Sequence, residues 1–450
     1  MSTLQFWLDR LRNKQKPTSI WADHRRNEAL EALAGAGTHS SWIELSHHYN
    51  GFVREIAVRE LYAQPSPEAL VAMIDRSNDW VPQIRDLAAV GLEHYLSPAH
   101  AQALLFAVEP LIALAARQRA DHGKTLKAAR AVLQSPVIRD EVQANFLTRH
   151  GKAARYLFEL LLESDSNPEA LLRSALFHRE VTVRLLAVPA CLKLPTTQAR
   201  CLLLEALSQP GAKFRVWVLR ALLPLLGDPR PILCEALLDA SASIRSLARW
   251  AAPNSEIDPH AVLVDQMKQS MPSKKRDWLG VLGLSAELNV ELDPQWQKEA
   301  LRSGYPTVRR AAIGAVSDAQ LPELLKALDD PSNRVFNAAI ARLSDQPWAL
   351  VKPGLDTKMD RDWHDLSVIR RSALLQLRPL WQQAAYLLDR LDAEPTIQAF
   401  WLRQLAMWGD GQYQMVDPVT PKIERTVIVE RLRELAARGL IGNESIARVV

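Results

Sequence analysis

Short apolar stretches alternate with polar breaks along the whole chain, and inside the stretches the apolar residues recur three and four positions apart. PEALVAMIDRS, PILCEALLDA and LPELLKALDD all show this spacing, which gathers the apolar side chains on one face of a helix. The period-two alternation of a half-buried strand is missing. Breaks such as DDPSN at 329–333 are rich in residues that stop one helix and cap the next. The pattern predicts an all-α chain of helix–turn–helix units, each about 30 residues long.

A two-residue tag follows most breaks. It is a branched or aromatic apolar residue and then arginine: Val53-Arg54, Ile84-Arg85, Val183-Arg184, Phe214-Arg215, Ile244-Arg245, Val308-Arg309 and Ile369-Arg370. Arg54 to Arg85 is 31 residues, Arg184 to Arg215 is 31, and Arg215 to Arg245 is 30. Ala154-Arg155 fills a slot in the long gap after Arg85, the region of Arg276 fills another, and Phe336 stands where a tag arginine is due. Three residues after the tag arginine stands Ala57, Ala88, Ala187, Ala248, Ala312 or Ala373. A small residue there lets helices approach closely, and no unit can bury its apolar faces without its neighbours.

These units resemble the HEAT-repeat family, in particular its short bacterial, bilin-lyase-like type. The residues that carry the resemblance are 321–343 (LPELLKALDDPSNRVFNAAIARL), 209–228 (QPGAKFRVWVLRALLPLLGD) and 305–318 (YPTVRRAAIGAVSD). The resemblance implies a right-handed α-solenoid, with the first helix of each pair on the convex side and the second on the concave side. It divides the chain into an N-terminal helical cap at 1–40, a repeat array at 41–380 and a C-terminal helical cap at 381–450. Two stretches break the rhythm. Residues 101–150 hold long apolar runs with poor tags, and 352–366 reads as a polar insertion.

Composition narrows the function classes. Lys and Arg total 55 against 51 Asp and Glu, a net charge of +4, with none of the strong basic bias of a dedicated nucleic-acid binder. Three cysteines with no CxxC suggest neither a disulfide framework nor a zinc site. The N-terminus lacks the apolar run of a signal peptide, and no window is apolar enough to span a bilayer, so a reduced, cytoplasmic protein is expected.

The tag arginines stack along one ridge and could form a guanidinium ladder for anions. In the repeats that these units resemble, this arginine instead bonds an acidic residue or a helix end in a neighbouring unit, and Asp75, Asp79, Glu180, Asp239 and Asp330 stand just upstream as acidic candidates. Arginines beside the tag, Arg59, Arg249, Arg310 and Arg371, are expected to face solvent. The chain carries 13 tryptophans, and exposed ones would serve as binding anchors. Trp250 beside Arg249, and Trp363 near Arg361, are the expected surface anchors. Arg249, Trp250, Arg310, Arg371 and Trp363 therefore form the predicted partner-binding set. Asp356, Asp360, Asp362, His364 and Asp365 match no metal-loop spacing, and His47-His48 reads as a helix-end feature. No phosphate loop, nucleophile elbow or HExxH is present, and no cofactor or metal is expected.

The sequence thus points to a non-catalytic scaffold or adaptor whose partner is another protein, with an inhibitor or immunity role among the variants. The rival reading is DNA binding, as in alkylpurine glycosylases built from similar repeats. Trp80, Arg85 and Asp86, or Arg276, Asp277 and Trp278, would then mimic an aromatic, basic and acidic cleft.

Overall fold

The computed structural model describes residues 3–12, 20–317, 320–411, 417–442 and 444. Every regular element among them is helical. The chain forms two compact units, residues 1–227 and 228–450. Both are stacks of helix pairs with short turns, as the apolar periodicity requires.

In the first unit the regular pairs are His39–Leu45 with Gly51–Ala63, Pro67–Arg76 with Pro82–Glu93, Arg139–Thr148 with Gly151–Ser164, Glu169–Leu176 with Val181–Cys191, and Thr196–Ala206 with Ala212–Leu222. The stretch with poor tags breaks into shorter pieces, Ala101–Phe106, Val108–Leu114 and Gly123–Leu133. The second unit runs Arg230–Leu237 with Ala242–Ala251, Pro259–Met267 with Lys275–Leu288, Pro294–Arg302 with Pro306–Gly314, Leu321–Lys326 with Asn333–Ser344, and Trp348–Asp362 with Val368–Gln376. Leu380–Ala393, Gln398–Asp410 and Lys422–Ala437 complete it.

The tag has a fixed place in this frame: its two residues are the third and fourth of the second helix. The third points into the core. Val53, Ile84, Val183, Phe214, Ile244, Val308 and Val335 are all at most 2% exposed. The alanine one turn later is sealed as well, with Ala57, Ala88, Ala187, Ala248 and Ala312 at 0%. A methyl at this position is what allows the next helix to pack so near.

The last tag departs from this rule. Ser367 caps its helix, its side chain accepting from the Arg370 N–H, so the helix begins at Val368. Counting from that start, the third and fourth positions are Arg370 and Arg371. Ile369 is left at the second position and is 78% exposed, next to Val368 at 75%. Leu374, not Ala373, is the sealed residue one turn on.

Residues 352–366 also differ from expectation. They are not an inserted loop: all but the last four belong to helix Trp348–Asp362. Val351, Leu355, Met359 and Trp363 recur every four residues and are each at most 2% exposed, so the segment is held by an apolar stripe between its charges. Trp363 packs on Trp401 and Tyr386, with ring centroids 5.3 and 5.7 Å apart.

Close approach in the second unit depends on two glycines of Lys275–Leu288. A Cβ at Gly280 would lie 1.8 Å from the Leu238 carbonyl oxygen, and one at Gly283 would lie 2.3 Å from the Arg245 guanidinium carbon. At Gly280 only glycine leaves room for the backbone of the neighbouring pair, while at Gly283 a side chain would have to displace the Arg245 guanidinium from Glu287 and the Asp239 carbonyl.

Candidate functional site

The arginine ladder is part of the frame. Arg54 is 2% exposed. Its Nε and Nη2 donate to the two oxygens of Asp79, each at 2.9 Å. Its Nη1 donates to the carbonyls of His48 and Tyr49, again at 2.9 Å. Arg309 repeats the arrangement on Asp330, at 2.6 and 2.9 Å, with Nη1 on the Ser303 carbonyl at 2.8 Å. Arg245 donates to Glu287 at 3.1 and 2.5 Å and to the Asp239 carbonyl at 2.7 Å. Arg85 holds the Asp79 carbonyl at 2.8 Å, and Arg184 holds that of Pro210 at 2.7 Å. Arg54, Arg245 and Arg309, bound on both prongs, have little left for an outside anion, whereas Arg85 and Arg184 each donate through Nη1 to a carbonyl.

The carboxylates of the ladder do double duty. Asp79, Asp239 and Asp330 each accept the backbone N–H two residues on, from Val81, Ser241 and Ser332, at 2.8–2.9 Å. This is the turn chemistry that starts the following helix. His48, His178 and Ser303 occupy the same place, six residues before a tag arginine, and also accept from the residue two further on. Burial pushes the Asp79 and Asp330 carboxyls up. The hydrogen bonds from Arg54 and Arg309, the backbone N–H donors and the nearby positive charges outweigh it and hold both below the ordinary carboxylate value. Asp75 and Glu180 lie outside this pattern. Asp75 pairs with Arg117 at 2.9 Å, and Glu180 accepts from the Gly151 and Thr182 N–H groups.

The five residues predicted to bind a partner fall into three groups. Trp250 is 70% exposed on Ala242–Ala251, and Arg310 is exposed on Pro306–Gly314. Arg249 is half-buried and tethered to Glu287 at 3.2 Å. Trp363 and Arg371 leave the set. Trp363 is 2% exposed because the apolar stripe of its helix carries it inward. Arg371 takes the tag position, its Nε donating to the Leu366 carbonyl at 2.9 Å and its guanidinium lying 5.9 Å from the Trp363 ring centre. It is a ladder arginine and not a solvent-facing one.

Among the described residues no group of His, Cys, Asp and Glu could hold a metal ion. Three of the four aspartates of 352–366 are matched by cations. Asp356 meets Arg378 at 2.5 Å, Asp360 meets Arg390 at 3.3 Å, and Asp362 is bonded by both Arg361 and Lys358. The hydrogen bond from Arg361 comes first among the causes that lower the Asp362 carboxyl to about 2. Asp356, Arg378, Tyr386, Arg390 and Arg431 line a groove of about 530 Å³ between Trp348–Asp362, Leu380–Ala393 and Lys422–Ala437. Of the two clusters offered for DNA chemistry, the one at 276–278 is dispersed. Trp278 is 6% exposed and packs on Trp296, while Arg276 reaches away to Asp239 at 2.7 Å. Cys191 is buried, and burial pushes its thiol up to about 12, which suits a small core residue and not a nucleophile.

The other cluster offered for DNA chemistry, Trp80 with Arg85 and Asp86, belongs to a larger surface that also includes Tyr49, which the sequence reading did not join to it. Tyr49 and Trp80 stand in consecutive turns of the first unit, both five residues before a tag arginine, and are 59% and 67% exposed. The buried Arg54 connects them. It holds the Tyr49 carbonyl, and its guanidinium lies 5.5 Å from the Trp80 ring centre. The shared offset from the tag was the available signal.

No family model matches the sequence, and no curated protein matches it. Among solved structures, it is similar to the C-terminal fragment of the Chaetomium thermophilum cohesin loader SCC2, with a TM-score of 0.29 and 14% identity. That alignment covers 98% of this chain and 36% of the fragment, so the chain spans well under half the length of the protein it matches.

Proposed function

We propose that the chain is a non-catalytic protein-binding scaffold that presents exposed aromatic and arginine side chains on a rigid helical frame. The observation that carries this reading is Trp250, a large apolar side chain left 70% exposed on a helix whose opposite face is sealed in the core. Tryptophan and arginine dominate the energetics of protein interfaces. Arg249 beside it is fixed by Glu287, so little side-chain entropy remains to be lost on docking. Arg310, on the exposed side of the second helix two pairs further along, adds the same kind of side chain. An inhibitor or adaptor role, a cytoplasmic location and kinship with the bilin-lyase-like repeats belong to this proposal. No described helix is long and apolar enough to cross a membrane.

The test is affinity capture with the wild-type chain and with the double variant Trp250→Ala, Arg310→Glu, identified by mass spectrometry. A partner retained by wild type and lost by the folded variant supports the reading. Identical captured proteins from both would remove Trp250 as the anchor. Release of alkylated bases from DNA by the pure chain, abolished in Asp86→Asn, would replace a scaffold with a repair enzyme.

A further inference from the structure

The Tyr49–Trp80 edge pairs its exposed rings with positive charge that the frame leaves incompletely matched. Arg25 lies 5.3 Å from the Tyr49 ring centre and Arg54 lies 5.5 Å from that of Trp80. Among the described residues Arg85 bonds only backbone carbonyls, those of Asp79 and Trp80. Among the described residues Arg119 bonds only Asn78, through its backbone N–H to the side-chain oxygen at 3.0 Å and through Nη1 to the carbonyl at 3.5 Å. The carboxylates in contact are Glu28, 3.8 Å from Arg25, and Asp79, which Arg54 and Arg76 share. Asp86 and Asp121 flank the edge, and Asp121 is occupied in capping the Gly123 N–H. The guanidinium groups around the rings therefore outnumber the carboxylates that reach them.

We propose that this edge docks an acidic segment of a partner protein. An apolar or aromatic side chain of the segment packs on Trp80 and Tyr49, and its carboxylates meet Arg85 and Arg119. The inference rests on the protein-binding reading and assigns it a partner chemistry at a site separate from Trp250. The exposed rings supply area at low entropic cost, and the arginines supply bidentate recognition of carboxylate. The Arg54–Asp79 pair beneath, with side chains 3% and 0% exposed, fixes both turns before any ligand arrives.

The experiment is fluorescence anisotropy of the full chain with three labelled probes: a peptide repeating Asp-Glu-Phe, a peptide repeating Lys-Arg-Phe, and oligo-dT. The expected result is binding of the acidic peptide alone, weakened by salt. Trp80→Ala and Arg119→Glu should each weaken it about tenfold, while circular dichroism shows the fold intact. Arg119→Lys, which keeps the charge, should restore most of the affinity. Equal binding of both peptides, no binding of the acidic one, or binding unchanged in the variants would each overturn the proposal. Preferred binding of oligo-dT that Trp80→Ala abolishes would reassign the edge to single-stranded nucleic acid. Because Trp250 and Arg310 stand in the other unit, a failure here leaves their capture experiment unaffected, and the two readings fail separately.

Discussion

Helices Pro306–Gly314 and Val368–Gln376 open with nearly the same letters, VRRAAI and IRRSAL, and fold them in different registers. In the first, Val308 is sealed at 0% and Arg309 forks onto Asp330. In the second, the matching letters slide one place. Ile369 faces water, Arg370 lies over the Phe336 ring at 4.6 Å, and Arg371 takes the helix position of Arg309 but bonds only the Leu366 carbonyl among the described residues. The difference lies two residues upstream of the tag. Ser367 caps its helix and fixes where counting begins, while Pro306 is the first residue of the other. Distance from the cap, more than the identity of the pair, decides which side chain enters the core.

The largest contrast is expected at the charged pair. Asp330→Ala leaves the Arg309 guanidinium without its counter-ion and removes the acceptor of the Ser332 N–H. A cost of about 3 kcal/mol is expected, at the low end for breaking a buried pair. Arg371→Ala gives up one bond to a carbonyl and a ring contact, and should cost about 1 kcal/mol. Urea unfolding of the two variants checks this, and equal losses would end the distinction between the registers.

Acid should act on the same pairs. Asp79 and Asp330 have folded values below the unfolded one. Their contribution is therefore complete above the ordinary carboxylate pKa of about 3.9 and is lost as pH falls through the lower folded value. Thermal melts should fall steeply below about pH 4, and Asp330→Ala should flatten that slope. A variant whose melting point falls with acid as steeply as wild type would show that the pair contributes nothing.

Packing should discriminate next. Ala312→Leu and Ala248→Leu force three extra carbons into sealed positions, with an expected cost of about 1–3 kcal/mol. Ala373→Leu, on the half-buried side of the shifted helix, should cost well under about 1 kcal/mol. If Ala373→Leu proved as damaging as Ala312→Leu, the register assigned to the last helix would be wrong. The smallest effect is expected at Ile369→Ala, within about 0.5 kcal/mol of wild type, because nothing packs on a side chain 78% exposed.

The regular part of the fold was legible because period and chemistry agreed. Apolar spacing marked the pairs, and the tag with its alanine marked the second helix. Asp79, Asp239 and Asp330 were visible as partners upstream. What escaped depended on caps and on helix length. The capping role of Ser367 was not read, which misplaced Ile369 and Arg371 by one position. Pro353 and Gly354 with a dense set of charges hid the four-residue spacing of Val351, Leu355, Met359 and Trp363, and so turned a core tryptophan into an expected anchor. Trp250 was found because it stands beside a tag whose register is regular. The Tyr49–Trp80 edge was read only in half, as Trp80 with Arg85 and Asp86, because it is assembled from two turns 31 residues apart, and no local window contains both.

The shared carboxylates give the ladder a direction. Asp330 serves the start of its own helix with one oxygen and the arginine of the preceding pair with both. A break that removes the pairs before it would strip away a cation but leave the Ser332 turn satisfied. A break that removes the pairs after Arg309 would take the carboxylate away entirely, leaving a half-buried guanidinium at the new end. The two ends of the array are thus unequal as places to cut, to fray or to begin folding: shortening from the front leaves a self-capped turn, and shortening from the back leaves an orphaned cation.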